Sequence, residues 1–370
     1  MKVLYYLTAH GYGHAVRSCA VCQRFSKDVQ LIFRTLIPEK FFEEELKRPF
    51  SYAPGQFDCG CVQSDSVTVH KRDTLETYMR LAESNEARLE GEIRWVLQEG
   101  IDGIVSDIPP FAFEVARGAG VPSVAVTNFT WYDVYEPYAI DYPVFYPYLR
   151  KIKEQYAMAD LFLELTPSKG MPYFQSRLEV PLVGGRGRNV RERLKDHLGL
   201  KRERHLALIY VGEFGMGGAS WKGLEKFEDW DFIGIYPIPG RPANYHLLGK
   251  EHFAYLDLIA SADVMVSKLG YGIFAQALMH GTPLIYLPRD DFAEFPALDK
   301  AVRKWGHGYC LPADDYRLLK WEGVLHEVIL RGRPEPQASD GAGICAREIE
   351  RFFSASRAES RKESFGDLKS

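Results

Sequence analysis

The chain has 370 residues, 46% hydrophobic and 13% aromatic, with a formal net charge of −4. That length exceeds one small core and points to two domains, and the composition is globular, not disordered. The mildly acidic balance excludes a global field that recruits nucleic acid. No apolar run approaches the roughly 20 residues of a bilayer-spanning helix, which leaves only peripheral membrane contact open.

Strands and helices alternate along almost the whole sequence. Residues 2–7 form an apolar run that leads into a glycine motif and a helix over 15–25, so the N-terminus reads as a core strand and not a signal peptide. A strand at 29–34 and a helix over 38–48 follow, the latter opened by Pro38. Residues 50–69 are irregular with β character. A long amphipathic helix over 74–99 carries Leu75, Tyr78, Leu81, Leu89, Ile93 and Val96 on its apolar side. Short, wholly apolar strands at 103–106 and 122–127 flank a helix over 111–118. Such strands predict a parallel sheet buried on both faces. Residues 131–148 break the rhythm with eight aromatics and three prolines, and read as a packed flap or a ligand wall. The Gly- and Arg-rich stretch 186–204 reads as a hinge. Beyond it the alternation restarts with strands at 205–211, 231–236 and 264–267 and helices over 255–262, 295–305, 321–330 and 341–353. The polar tail 354–370 lacks periodicity and is expected to be disordered.

Six cysteines include Cys19-x-x-Cys22 and Cys59-x-Cys61, a spacing compatible with zinc. Cys19 and Cys22 fall in a helix whose pattern predicts burial, so free thiols of a cytoplasmic protein are the favoured reading and no metal is expected.

Four places carry chemistry. After the first strand comes Ala9-His10-Gly11-Tyr12-Gly13-His14, where open α/β sheets hold ligands. Gly11 and Gly13 allow close backbone approach, His14 is a candidate acid/base, and Arg17 adds positive charge; a capping histidine and a surface arginine are the plain alternatives. Asp107 ends an apolar strand and is placed either to act with His14 or to cap the next helix. Asn128, Trp131, Tyr132 and Tyr135 follow the next strand and are candidate ligand contacts on the same cleft. A second glycine loop, with Gly212, Phe214 and Gly215, follows the strand at 205–211. The fourth stretch, Ser267 to Pro288, is a strand, a glycine entry and a helix. Lys268, Gly270, Tyr271 and Gly272 stand at the helix start, where amides and the helix dipole favour a diphosphate. Asp290, Asp291 and Glu294 beyond it suit sugar hydroxyls. The sequence holds no GxxxxGK[ST], HExxH or GxSxG motif.

The stretches YYLTAHGYGHAVRS, VSDIPPFAFEVARGAGVPSVAVTNFTW and DLIASADVMVSKLGYGIFAQALMHGTPLIYLPRDDF together resemble the glycosyltransferase-like N-terminal region of plant L-arabinokinases. More distantly they resemble MurG-like and UDP-glycosyltransferase enzymes with the GT-B fold. The resemblance implies an α/β chain of two Rossmann-like domains facing a cleft: an acceptor domain at 1–185, the hinge, and a nucleotide-sugar domain at 205–335 followed by a helix at 336–353. It implies a nucleotide-diphospho-sugar, UDP-sugar first, as co-substrate, and no other cofactor. It also places a nucleotide base near Phe253, and a ribose-binding Glu at the position held here by Gln276, whose amide is a weaker acceptor. Three activities fit: sugar transfer to an unidentified acceptor, hydrolysis or epimerisation of a nucleotide sugar, and nucleotide-sugar binding without catalysis.

Overall fold

A computed structural model describes residues 1–211, 215, 218–249 and 251–366, with side chains to 358. Gly212 and Phe214 therefore lie outside the described residues. The chain divides into two compact units. The first comprises Met1–Val62, His70–Val183 and the chain from Asp340 onward; the second comprises Gln63–Val69 and Gly184–Ser339.

The first unit is built on β1 (Lys2–Leu7), β2 (Gln30–Thr35), β3 (Ser51–Pro54), β4 (Gly103–Asp107), β5 (Ser123–Thr127), β6 (Leu161–Leu165) and β7 (Arg177–Val180). Among the described residues these form one parallel sheet in the order β3-β2-β1-β4-β5-β6-β7. Every residue of β4, β5 and β6 is buried, as their largely apolar sequences require of strands covered on both faces, and the polar Asp107 and Glu164 are buried with them. The chain moves outward from β1 to β2 and β3, then restarts on the other side of β1 with β4. That reversal leaves a crevice above the carboxyl ends of β1 and β4.

The second unit repeats the plan with β8 (His205–Tyr210), β9 (Trp230–Gly234), β10 (Tyr245–Leu247), β11 (Val264–Ser267), β12 (Leu284–Tyr286) and β13 (Gly308–Cys310), in the order β10-β9-β8-β11-β12-β13. All its ladders are parallel, and the reversal falls between β8 and β11. Trp221, Trp230, Phe232, Tyr316 and Trp321 fill the core on one of its faces.

Two boundaries differ from the sequence expectation. The last helix spans Gly341–Gly366, past the residue 353 expected, and it belongs to the first unit. Ala342, Cys345, Ala346, Ile349 and Phe353 bury one stripe at helical spacing, and the helix packs on the helix Tyr12–Cys22. Gly103 of β4 has no side chain because a Cβ there would meet the Phe353 ring at 2.6 Å. Residues 63–69, expected in the first domain, group with the second: Ser66 N donates to Gly215 O, Ser66 Oγ donates to Val211 O, and Asp65 lies 3.9 Å from Arg317.

The aromatic segment is mostly helix. Trp131–Ala139 is α-helical, with Thr130 and Asp133 forming a capping box and Pro137 inside it, and Tyr146–Ala157 is a second helix. Trp131, Tyr135 and Tyr138 are at most 1% exposed, so they are core.

Candidate active site

In the first unit the pairing of β1 with β4 sets Leu7 beside Asp107. The chain leaving β1 turns at Gly11, whose φ of 81° is a glycine conformation, and enters the helix Tyr12–Cys22. His14, Arg17 and Ser18 share one face of that helix and all three reach the Asp107 carboxylate. His14 Nδ1 lies 2.9 Å from Oδ1. Arg17 donates from Nε to Oδ2 at 2.7 Å and from Nη2 to Oδ1 at 2.5 Å, and Ser18 Oγ donates to Oδ2 at 2.9 Å. Ile108, next in the chain, is a β-branched residue held at φ 87°, a strained conformation of the kind found where a functional side chain is fixed in an unusual direction.

Asp107 is fully enclosed. Burial alone would raise its pKa, but the charge of Arg17, with His14 and their hydrogen bonds, holds it well below the usual carboxylate range. Asp107 is closed off from solvent, and its carboxylate is bonded to His14. When His14 Nδ1 carries the proton it donates to Asp107, and Nε2, on the opposite edge of the ring, is left to take a proton. Nη2 of Arg17 also lies 2.8 Å from Nδ1, so the anion and the guanidinium compete to set the tautomer.

Arg17 is not a surface cation directed at a diphosphate. It is 3% exposed and turned inward, donating also to Asn128 Oδ1 at 2.7 Å and to Thr127 Oγ1 at 3.3 Å. Asn128 is likewise buried and serves this network. Trp131 stacks on Tyr135 at 5.5 Å and meets Phe129, which meets the His14 ring edge-on at 5.7 Å. Tyr132 is partly exposed, with its hydroxyl on Glu136 and Lys153 over its ring.

Sequence reading missed Asp58, which no local motif announces. It is 4% exposed and accepts from Thr8 Oγ1 at 2.9 Å and Trp131 Nε1 at 2.7 Å. Thr8 Oγ1 in turn accepts from His10 N at 3.2 Å, so Asp58 fastens the start of the glycine loop to the aromatic helix. Gly60, at φ 63°, lies directly against the His10 ring, where a Cβ would come within 2.2 Å.

In the second unit the helix Tyr271–His280 starts at Gly270 and closes on left-handed Gly281. Lys268 and Arg289 bring positive charge beside its N-terminus. Burial pulls the Lys268 pKa down to about 7, Arg289 pushes the same way, and Glu294 opposes both. Arg289 donates to Leu269 O at 3.1 Å and lies 3.9 Å from Glu294, itself 8% exposed. Asp290 is exposed, Asp291 partly so, and Tyr271 is buried. Phe253 is buried under Arg193 and beside His197. Gln276 is also buried, and with its amide turned so that donor meets acceptor it pairs with backbone: Nε2 donates to Gly185 O at 3.0 Å and Oε1 accepts from Gly185 N at 3.2 Å.

All six cysteines are free thiols, and burial raises the pKa of Cys59 to about 12. No helix of the described residues is long and apolar enough to cross a membrane.

No family model matches the chain. Its sequence is 29% identical over 335 residues to the L-arabinokinase of Arabidopsis thaliana, covering 88% of this chain but 32% of that protein, so the chain spans about a third of its relative's length. Among solved structures it is similar to a UDP-glucosyltransferase from Polygonum tinctorium capable of glucosylating indoxyl (TM-score 0.62, 13% identity, 95% and 98% of the two chains). It is also similar to a UDP-GlcNAc 2-epimerase from Neisseria meningitidis bound to UDP-GlcNAc (TM-score 0.61, 10% identity, 96% and 100%). These matches run the length of both units, and the chain has the GT-B fold, two Rossmann-like units each built on a parallel sheet.

Proposed function

We propose that the protein is a glycosyltransferase that moves a sugar from a nucleotide-diphospho-sugar, a UDP-sugar first, to a hydroxyl or amine acceptor without a metal ion. The observation that carries this reading is the enclosed Asp107 carboxylate, which is ionised, neutralised by Arg17 and bonded to His14 at the point where the first sheet reverses. His14 is the general base. Its Nε2 accepts the acceptor's proton as the new glycosidic bond forms and the bond from sugar carbon to diphosphate breaks. Asp107 is a positioning residue that orients the ring and stabilises the imidazolium. The second unit serves the leaving group: the amides at the start of the helix Tyr271–His280, with Lys268 and Arg289, stabilise the diphosphate as its charge develops. Tyr132 is an acceptor contact in this reading, with Trp131 and Tyr135 as the rigid wall behind it.

The likeness to an epimerase supports a second reading, in which the nucleotide sugar is isomerised or hydrolysed with no acceptor. Thermal-shift measurements with UDP-, GDP- and dTDP-sugars, followed by product analysis with and without acceptors, separate the two. Stabilisation by a nucleotide diphosphate and turnover that depends on acceptor are expected. A protein stabilised by none of these nucleotides would sink both readings. His14→Ala should keep nucleotide binding and lose about 10²–10⁴-fold in turnover, the usual worth of a general base.

A further inference from the structure

Besides the short excursion at 63–69, the chain passes between the two units at 183–184 and again at 339–340. On the side of the second unit, both of these passages are fastened to the carboxyl half of the helix Tyr271–His280 and to the helix Tyr255–Ser261 before it. The outgoing strap, residues 184–190, is hydrogen-bonded almost residue by residue. Gly185 pairs with the Gln276 amide, Gly187 N donates to His280 Nε2 at 2.8 Å, Arg188 N to Asp257 Oδ1 at 2.7 Å, and Val190 N to Ser261 Oγ at 2.8 Å. Gly187 lies so close that a Cβ would stand 2.1 Å from Leu256 O, a backbone atom that cannot step aside. The returning segment is held by Arg333, which donates to Ala260 O, Ala262 O and His280 O at 2.7 Å each, and by Gln337 N, which donates to Leu278 O at 2.9 Å.

His280 sits at the centre of these contacts, 6% exposed. Its Nδ1 lies 2.8 Å from Gln276 O, which can only accept, and its Nε2 faces Gly187 N–H, which can only donate. The proton must therefore be on Nδ1 and Nε2 must be bare. A second proton would set N–H against N–H. Of the charged groups facing the ring, Arg333 from the returning segment and Arg186 from the strap disfavour that proton, as burial does before them, whereas Asp257 on the helix Tyr255–Ser261 favours it; the net direction is a pKa below the ordinary histidine value.

We propose that His280 is a proton-operated latch on the strap joining the two units: neutral, it fastens Gly187 to the helix Tyr271–His280, and protonated, it lets the strap go. This latch goes beyond the glycosyltransferase reading and does not depend on it.

Hydrogen exchange of the full-length protein between pH 7.5 and 5.0, corrected for intrinsic chemical rates, tests it. The opening of residues 184–190 should rise by up to about tenfold per pH unit as the pH falls from the ordinary histidine value of 6.5 toward the lower value of the closed strap, and level off below that, while β8 and β11 stay unchanged. His280→Gln offers an acceptor without a titrating nitrogen and should make the strap's opening independent of pH. A strap whose opening in the native protein ignores pH, or one that keeps its pH dependence in His280→Gln, overturns the proposal. If that variant does not fold, ring nitrogen shifts of native His280 decide: a neutral ring protonated on Nδ1 is expected at pH 7.5, and a proton on Nε2 refutes the latch.

Discussion

Asp58 and Asp107 are both enclosed carboxylates of the first unit, yet burial wins at one and loses at the other. Asp107 has a guanidinium against it, and its charge survives. Its stabilising contribution is complete above the ordinary value of 3.8 and is lost as the pH falls through that value toward the lower folded one. Asp58 has only the neutral donors Trp131 and Thr8, so burial raises its pKa from 3.8 to about 6. At neutral pH the ionised Asp58 therefore costs about 3 kcal/mol, at roughly 1.4 kcal/mol per pKa unit. The cost is relieved as the pH falls through 6 and the folded state takes up a proton. Asp58→Asn loses one hydrogen bond at every pH but escapes the charge. The difference in melting temperature, variant minus native, should fall by several degrees between pH 8 and pH 5. Calorimetry across that range checks it, and a difference constant with pH would show that Asp58 stays ionised down to pH 5 and that burial does not raise its pKa. Sequence alone offers no route to Asp58, because its partners lie far from it in the chain and meet only when the sheet forms.

The helix Trp131–Ala139 shows what local pattern carried and what was passed over. Its prolines and dense aromatics suggest an irregular flap, but Thr130-x-x-Asp133 is a capping box and Trp131, Tyr135 and Tyr138 recur at helical spacing. Pro137 counted against a helix although tertiary packing of those rings outweighs it. The cap is a testable joint: Thr130 Oγ1 accepts from Asp133 N and pairs with the Tyr173 hydroxyl at 2.6 Å. Thr130→Ala should lower stability by about 1–2 kcal/mol, read from the urea midpoint with unchanged slope. The inner strands of both sheets were legible because they are short, largely apolar and separated by helices, whereas β3 fell in a stretch read as irregular and the polar β7 was passed over. β10, β13 and the short helix Ala313–Arg317 were not legible, since three to five residues carry no readable period. The partners of Gln276 were equally hidden. Its position in the glycine–helix unit suggested a ribose contact, while the Gly185 backbone that occupies its amide comes from a distant stretch of chain.

At the scale of the whole chain, the GT-B resemblance rested on ordered motifs and the solved structures match it over both units. The sequence did not show that the chain's last helix returns to the first unit, because an amphipathic helix does not name the surface it covers. A fragment of residues 1–183 should leave the buried face of the helix Tyr12–Cys22 open to water, unfold without a sharp transition and bind hydrophobic dyes. Adding a peptide of residues 340–366 should restore cooperative melting by circular dichroism. Sharp melting of 1–183 alone, indifferent to the peptide, would show that the helix is an accessory.

The same return has a consequence in time. Domains usually complete themselves in the order in which they leave the ribosome. Here the sheet begun first lacks the Phe353 that closes over Gly103 until the stretch Gly184–Ser339 of the second unit has been made. At about 5–20 residues per second, β4 waits on the order of ten seconds or more with its neighbour missing. The second unit, made in the meantime, has its own chain sooner, so the unit that carries His14 and Asp107 becomes whole after it and is the more exposed to chaperones and proteases on the way.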